Sequence, residues 1–118
     1  MVPSDPPPAT GFSVGVDDPA GAGLVVTVSG ELDLATAPRF REALEEALDR
    51  GRDVAVDLAG CGFIDSSGIA ALAAIAWRLE REGRVVEIRG LSERIRYIFE
   101  LSGLASLDAI VLEPGLGS

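Results

Sequence analysis

The sequence contains no histidine, and because its ten basic residues are all arginines it contains no lysine either. These absences remove imidazole general bases, histidine metal ligands, Schiff-base lysines and the lysine of a phosphate-binding P-loop. A serine or cysteine nucleophile would have neither of the usual bases to activate it. We therefore expect a protein that is not an enzyme, with no catalytic residues, no metal site and no cofactor.

Positive charge and cysteine are also scarce. The 10 basic residues are outnumbered by 19 acidic ones, which gives a net charge of −9 and an isoelectric point near 4.3. Nucleic acids and anionic membranes attract proteins mainly through basic residues, so neither is an expected partner. The single cysteine, Cys61, cannot form an internal disulfide or a thiolate zinc site. We interpret it as a small buried apolar residue of a cytoplasmic protein.

Long apolar runs are missing too. No stretch approaches the roughly 18–20 apolar residues that span a bilayer. The first ten residues, MVPSDPPPAT, lack the basic and apolar regions of a signal peptide. Their prolines predict a flexible tail over residues 1–11, and a second tail is predicted over residues 114–118. The apolar fraction of 47% is sufficient for the core of one domain, which we place at residues 12–113.

The pattern of apolar residues predicts eight elements in the order β-β-α-β-α-β-α-β. Alternation and β-branched residues predict strands at residues 12–16, 24–29, 54–58, 85–88 and 109–112. Helical spacing predicts three helices, each ended by a glycine, at about residues 36–51, 66–83 and 92–103. Strands separated by helices need crossover connections. The order therefore predicts an α/β domain with a mainly parallel central sheet and flanking helices.

Several side chains are assigned to caps, turns or the core. Thr36 and Ser92 are placed to cap the first and third helices. The segment Gly60-Cys61-Gly62 is interpreted as turn residues. The second helix is apolar on nearly every face, so we expect most of it to be buried, with Trp77 in the core. Tyr97 is expected to pack in the core as well, on a helix whose apolar side is formed by Ile95, Ile98, Phe99 and Leu101.

A small polar segment, Asp65-Ser66-Ser67-Gly68, stands between a predicted strand and the apolar helix. At the carboxyl end of a strand, a helix N-terminus offers free N–H groups and a partial positive charge, so a serine there can carry a phosphate. The alternative is purely structural: Asp65 or Ser66 is an N-cap, and Gly68 allows close packing. On spacing alone we favour the structural interpretation, and the phosphate-carrying serine stays open as the alternative.

The segment Gly30-Glu31-Leu32-Asp33 places two carboxylates before the first helix. Such a pair can bind a cation or transfer protons. Carboxylates that stabilise a helix N-terminus are the commoner case, and we favour that interpretation.

Four motifs follow one another along the chain: Gly30-Glu31-Leu32-Asp33, Val56-Asp57-Leu58, Phe63-Ile64-Asp65-Ser66-Ser67-Gly68-Ile69 and Leu101-Ser102-Gly103-Leu104. Their order and spacing closely resemble the anti-sigma factor antagonist family, the bacterial STAS domain. The resemblance extends from about residue 12 to residue 112 and implies the STAS fold for this α/β domain.

The resemblance also implies a partner-switching protein that regulates transcription. In this family the unphosphorylated antagonist binds an anti-sigma factor, a serine kinase of the histidine-kinase-like ATPase fold, and thereby frees a sigma factor. Phosphorylation by the kinase releases the antagonist until a serine phosphatase restores it. By position, the resemblance implies Ser66 as the phosphoacceptor and Asp33 as the partner of a kinase arginine. The other implied partner-binding residues are Thr36, Asp65, Ser67, Gly68 and Ile69.

A second function remains open, because the same module also serves as a noncatalytic scaffold in signalling or transport assemblies. There the serine need not be modified. The chain departs from the family in two respects. Its proline-rich start is longer than the domain needs, and no further helix follows the last predicted strand, so we expect one sheet face to be less well covered. Because Asp65 adjoins Ser66 in a chain of net charge −9, we expect phosphorylation to cause release by local repulsion.

Overall fold

The computed structural model describes residues 11–19, 21 and 23–113. A short 3-10 helix, Leu104–Ser106, is the one element of this part that the periodicity does not predict. The predicted tails lie outside the described residues, except for Gly11. The other elements follow the predicted order: β1 (Ser13–Asp17), β2 (Leu24–Leu32), α1 (Ala37–Asp49), β3 (Val54–Ile64), α2 (Ser66–Glu82), β4 (Val86–Arg89), α3 (Glu93–Ser102) and β5 (Ile110–Leu112).

The strands form one sheet in the order β1-β2-β3-β4-β5. β1 runs antiparallel to β2, and every other neighbouring pair is parallel. This arrangement confirms the predicted mainly parallel α/β architecture. Each parallel connection steps to the next strand in the same direction, and such crossovers are right-handed. The three helices therefore pack on one face of the sheet.

Strand register divides the side chains between a covered and an open face. Val26, Val56 and Ile88 are aligned across three strands, and all three are fully buried on the covered face. The next residues along those strands point to the open face and are partly exposed: Thr27, Asp57 and Arg89. Between the sheet and the helices lies a single apolar core, whose largest buried side chains include Phe40, Leu44, Leu72, Ile75, Leu79, Ile95 and Phe99.

The prediction that Gly60-Cys61-Gly62 forms a turn is wrong, because these residues continue β3 to Ile64. Gly60 pairs with Ser29 where the register between β2 and β3 shifts. A Cβ atom on Gly60 would lie 2.7 Å from the Ser29 hydroxyl oxygen. A side chain at this position would therefore displace the Ser29 hydroxyl, and glycine allows the two strands their close contact at an irregularity within the sheet.

Cys61 is buried, as predicted, with 4% of its surface exposed. Its thiol donates a hydrogen bond to the carbonyl oxygen of Phe63 at 3.3 Å. Burial raises the pKa of this thiol, because the apolar surroundings disfavour the thiolate. Cys61 is therefore a structural side chain of the sheet.

The core assignments of Trp77, Tyr97 and Leu101 are wrong, since 67%, 60% and 69% of these side chains is exposed. Each follows a buried residue by two positions, respectively Ile75, Ile95 and Phe99. Two residues correspond to about 200° around an α-helix, so the three side chains face away from the core. On α2 the many alanines concealed this outer face, because they make every side of the helix apolar in sequence.

The predicted helix ends are largely confirmed. The Ser92 hydroxyl accepts a hydrogen bond from the backbone N–H of Ile95 at 3.1 Å, as an N-cap should. Gly83 and Gly103 end α2 and α3 with φ angles of 67° and 87°, a left-handed conformation that favours glycine. Among the described residues no helix has both the length and the apolar character needed to cross a membrane.

Candidate functional site

The carboxyl ends of β2 and β3 bring two acidic loops together. Leu32 and Ile64 are paired in register, and the backbone N–H of Asp65 donates to the carbonyl oxygen of Leu32 at 3.1 Å. Asp33 and Asp65, which are distant in sequence, therefore follow the ends of two neighbouring strands, Asp33 in the loop before α1 and Asp65 directly before α2. The two motifs singled out in the sequence thus meet at one edge of the sheet.

Asp65 is the N-cap of α2. One of its carboxylate oxygens, Oδ1, accepts hydrogen bonds from the backbone N–H groups of Ser67 at 2.8 Å and Gly68 at 3.4 Å. These groups have no partner within the helix, and a capping aspartate typically contributes about 1 kcal/mol to stability. The sequence alone allowed either Asp65 or Ser66 to be the N-cap, and the structure shows that it is Asp65.

Ser66 is the first residue of α2, and its side chain is exposed. Its hydroxyl makes no hydrogen bond with any of the described residues. The helix N-terminus behind it carries a partial positive charge, which stabilises a phosphate at this position. Ser66 thus presents a free hydroxyl at a place that tolerates an added anion.

Asp33 is held in place by the start of α1. Its Oδ1 accepts the backbone N–H groups of Ala35 at 3.0 Å and Thr36 at 3.1 Å, and lies 3.2 Å from the Thr36 hydroxyl. No hydrogen bond to the second carboxylate oxygen, Oδ2, is found within residues 11–19, 21 and 23–113. Asp33 therefore supports the loop with one of its two carboxylate oxygens.

Thr36 occupies the N-cap position of α1, but its side chain makes no capping hydrogen bond. The prediction that Thr36 caps this helix is therefore wrong for its side chain. The hydroxyl donates to the carbonyl oxygen of Glu31 at 2.7 Å and accepts from the backbone N–H of Asp33 at 2.9 Å. Thr36 is buried, with 5% of its surface exposed. Its side chain fixes the loop that carries Asp33, because it faces that loop and not the helix.

Gly68 is buried where α2 crosses the ends of β2 and β3. A Cβ atom at this position would lie 2.7 Å from Ile64 Cγ1 and 3.0 Å from Leu32 Cγ. The absence of a side chain lets the first turn of α2 approach the sheet closely. Gly68 therefore sets the position from which Ser66 projects.

Gly68→Ala is expected to lower the free energy of unfolding by about 1–2 kcal/mol. Overpacking of a core typically costs about 1–3 kcal/mol, and the better helix propensity of alanine offsets roughly 0.5–1 kcal/mol of it. Urea denaturation measures the difference. Gly62→Ala is the matched control, because nothing lies within 4 Å of its added Cβ. A midpoint for Gly68→Ala above that of the wild type would mean that Ile64 and Leu32 move aside without cost, because only the gain in helix propensity would then remain.

The two aspartates at this edge hydrogen bond to backbone N–H groups. No group of three or more His, Cys, Asp or Glu side chains suited to holding a metal ion occurs in the part of the chain that the structure describes. Asp33 and Asp65 instead direct carboxylate oxygens at backbone N–H groups of helix starts. The geometry supports the helix-terminus interpretation for Asp33, whereas Glu31 is an exposed residue of β2 whose carboxylate does not reach the start of α1.

Comparison with known sequences decides the family. A family model described as "Mlab, STAS domain" matches residues 17–113. The chain belongs to the STAS domain family. The resemblance identified from the four sequence motifs is thereby confirmed.

Known relatives of this STAS domain are anti-sigma factor antagonists. The anti-sigma-B factor antagonist of Staphylococcus epidermidis is 36% identical over 83 residues, which cover 70% of this chain and 77% of that protein. A crystal structure of an anti-sigma factor antagonist from Mycobacterium paratuberculosis is 31% identical, with a TM-score of 0.73 and coverage of 92% of this chain and 91% of that chain. The Bacillus cell fate determinant SpoIIAA in its phosphorylated form shares the fold, with 20% identity, a TM-score of 0.63 and coverage of 86% and 92%.

The predicted site residues of the STAS domain differ in accessibility. Ser66 is exposed, whereas Asp33, Asp65, Ser67 and Ile69 are half-buried. Gly68 and Thr36 are buried and do not offer side chains to the surface. All seven residues lie at the same edge of the sheet.

Sequence reasoning missed a groove beside Ser66. It has a volume of about 370 Å³ and opens between the first turns of α1 and α2. Leu34, with 78% of its surface exposed, forms part of its wall. The groove depends on how the two helices pack, so periodicity gave no signal for it. Its lining residues are Leu34, Ala37, Pro38, Arg41, Ser67, Ala70 and Ala71.

Proposed function

We propose that this chain is an anti-sigma factor antagonist that binds an anti-sigma factor serine kinase and is released by phosphorylation of Ser66. The observation that carries the proposal is the exposed Ser66 hydroxyl, which is free of hydrogen bonds to the described residues and stands at the N-terminus of α2. The neighbouring residue Asp65 already caps α2, because its carboxylate accepts the backbone N–H groups of Ser67 and Gly68. The Ser66 side chain is therefore not needed to cap the helix. Binding to the kinase frees a sigma factor for RNA polymerase in the cytoplasm.

The chemistry of the switch belongs to the kinase. The γ-phosphoryl group of ATP is transferred to Ser66 Oγ, the serine proton passes to a base on the kinase, and ADP leaves. This chain has no histidine or lysine to act as that base. The adjacent carboxylate, Asp65, serves as the cap of α2, because its Oδ1 accepts two backbone N–H groups. The antagonist is thus a substrate and a binding partner, and the kinase supplies the ATP and its metal ion.

Phosphorylation changes charge and leaves the fold intact. A phosphoserine carries about −1.5 to −2 charges at neutral pH. The helix N-terminus stabilises that charge, so no backbone rearrangement is required. Asp33 and Asp65 flank the same edge, and the added anion makes this surface still more negative. An interface formed with the unmodified serine is then lost through repulsion and the desolvation of the phosphate.

Asp33 and its loop supply the second contact. Asp33 Oδ2, which is not used by the loop, is available to an arginine of the kinase. Thr36 and Gly68 act from below the surface, since one fixes the Asp33 loop and the other seats the start of α2. The partner then contacts Ser66, Ser67 and Ile69 on α2. A serine phosphatase restores the binding form.

Intact-mass measurement and phosphosite mapping test the proposal. The purified protein is incubated with ATP and a candidate anti-sigma factor kinase of the histidine-kinase-like ATPase fold from the same organism. We expect a gain of one phosphate on Ser66, no gain for Ser66→Ala, and an unchanged gain for the control Ser106→Ala, since Ser106 is an exposed serine of the 3-10 helix outside the site. A stable complex that is indifferent to ATP, with no phosphate added, would contradict the switch and favour the scaffold function.

A further inference from the structure

We propose that the groove between α1 and α2 selects the partner, by accepting an apolar side chain of the anti-sigma factor at Leu34 and an adjacent acidic group at Arg41. This inference rests on the proposed function, because the occupant is the same kinase that phosphorylates Ser66. Leu34 and Arg41 are then specificity-determining residues outside the predicted site, and they determine which side chains the partner must present.

The groove is continuous with the phosphoacceptor. Ser67, the residue after Ser66, is part of its wall, and Ala70 continues that wall one turn further along α2. A protein seated over Ser66 and Asp33 therefore covers the mouth of the groove. With a volume of about 370 Å³, the groove has room for one large apolar side chain.

Leu34 is the apolar anchor of this surface. It has the largest exposed fraction, 78%, among the large apolar side chains that the structure describes. It stands directly after Asp33, in a loop that hydrogen bonds of Asp33 and Thr36 hold in place. Binding therefore requires little further ordering of the backbone, which is the condition under which an exposed apolar side chain contributes most to affinity.

Arg41 gives the groove its charge preference. Among the described residues that line the groove, Arg41 alone is charged. Its guanidinium lies 3.3 Å from Glu45 on the same helix, and half of its side chain is exposed. Ion pairs of this exposed kind are weak, so a carboxylate from a partner can replace Glu45. An arginine or lysine of the partner would instead be repelled at this position.

The surface around the site thus presents three chemical features, which follow one another in chain order. Asp33 offers a carboxylate, Leu34 and the groove offer an apolar contact, and Arg41 offers a cation. A complementary partner carries a basic group, an apolar side chain and an acidic group in the matching order. A second copy of this chain is the competing occupant of the groove, and a measurement of self-association distinguishes it from the kinase.

Binding of the same candidate kinase, measured by titration calorimetry with a non-hydrolysable ATP analogue, tests the inference. We expect Leu34→Ala to weaken binding about tenfold, as loss of one buried anchor does. Leu101→Ala is the matched control, because Leu101 is a similarly exposed leucine, 69%, on α3. It should bind like the wild type. Arg41→Glu should also weaken binding about tenfold, with a smaller loss at high salt, whereas Arg41→Lys should stay within about threefold.

The outcomes separate this inference from the proposed function. If Leu34→Ala and Arg41→Glu bind like the wild type while Ser66→Glu does not, the groove is not a contact and the switch stands. If the kinase neither binds nor phosphorylates the wild type, both fail together. If the groove variants lose only self-association, measured by light scattering, the groove joins two copies of this chain and the inference is overturned. Melting temperatures equal to that of the wild type exclude misfolding as the cause of any loss.

Discussion

Ser66→Glu is expected to weaken binding to the anti-sigma factor kinase by roughly 100-fold while the domain stays folded. The substitution places a fixed negative charge where the partner meets a neutral hydroxyl, close to the carboxylates of Asp33 and Asp65. Glutamate carries less charge than phosphoserine, so the phosphorylated protein should bind still more weakly. The helix N-terminus accommodates the carboxylate, and the melting temperature should not fall. Titration calorimetry and thermal denaturation measure the two effects.

Ser66→Ala supplies the opposite half of the experiment. The Ser66 side chain is exposed and makes no hydrogen bond to the described residues, so alanine should change neither stability nor initial binding. Release on addition of ATP should be abolished, because the kinase has no hydroxyl to phosphorylate. Ser106→Ala, at an exposed serine of the 3-10 helix outside the site, is the control and should be released like the wild type. Equal binding and equal ATP-dependent release by all three variants and the wild type would refute a switch at Ser66.

Asp33→Asn is expected to weaken kinase binding by roughly 1.5–3 kcal/mol with little change in stability. The asparagine side-chain oxygen can still accept the N–H groups of Ala35 and Thr36, so the start of α1 is kept. What is lost is the negative charge that the proposal pairs with a kinase arginine. Calorimetric binding, compared at low and high salt, detects that loss, since the charged contact is screened by salt.

Asp33→Ala separates the two roles of this residue. Alanine removes both the loop support and the charge, so we expect the same loss of affinity together with a loss of about 1 kcal/mol in stability. If Asp33→Asn binds like the wild type, while Asp33→Ala is only less stable, then Asp33 is a helix-start residue and makes no contact with the kinase.

The sequence was sufficient for the order of elements and for the family. Alternation in β1 and β2, helical spacing in α1 and α3, and glycines at the helix ends are local signals, because each depends on neighbours along the chain. The position of Ser66 at the start of α2 followed from the motif Asp65-Ser66-Ser67-Gly68, whose residues are adjacent in sequence. The absence of histidine and lysine could likewise be read from the sequence, because composition does not depend on the fold.

Only the tertiary structure decided which residues reach the surface and which residues meet. Thr36 and Gly68 belong to the motifs but are buried, and Trp77 looks like a core residue but is exposed. Asp33 and Asp65 come together through the pairing of β2 with β3, and Leu34 and Arg41 border a groove formed by two packed helices. These properties depend on contacts between segments far apart in the chain. The periodicity of apolar residues indicates which side of a single helix or strand is buried. It therefore gives no information on contacts between elements.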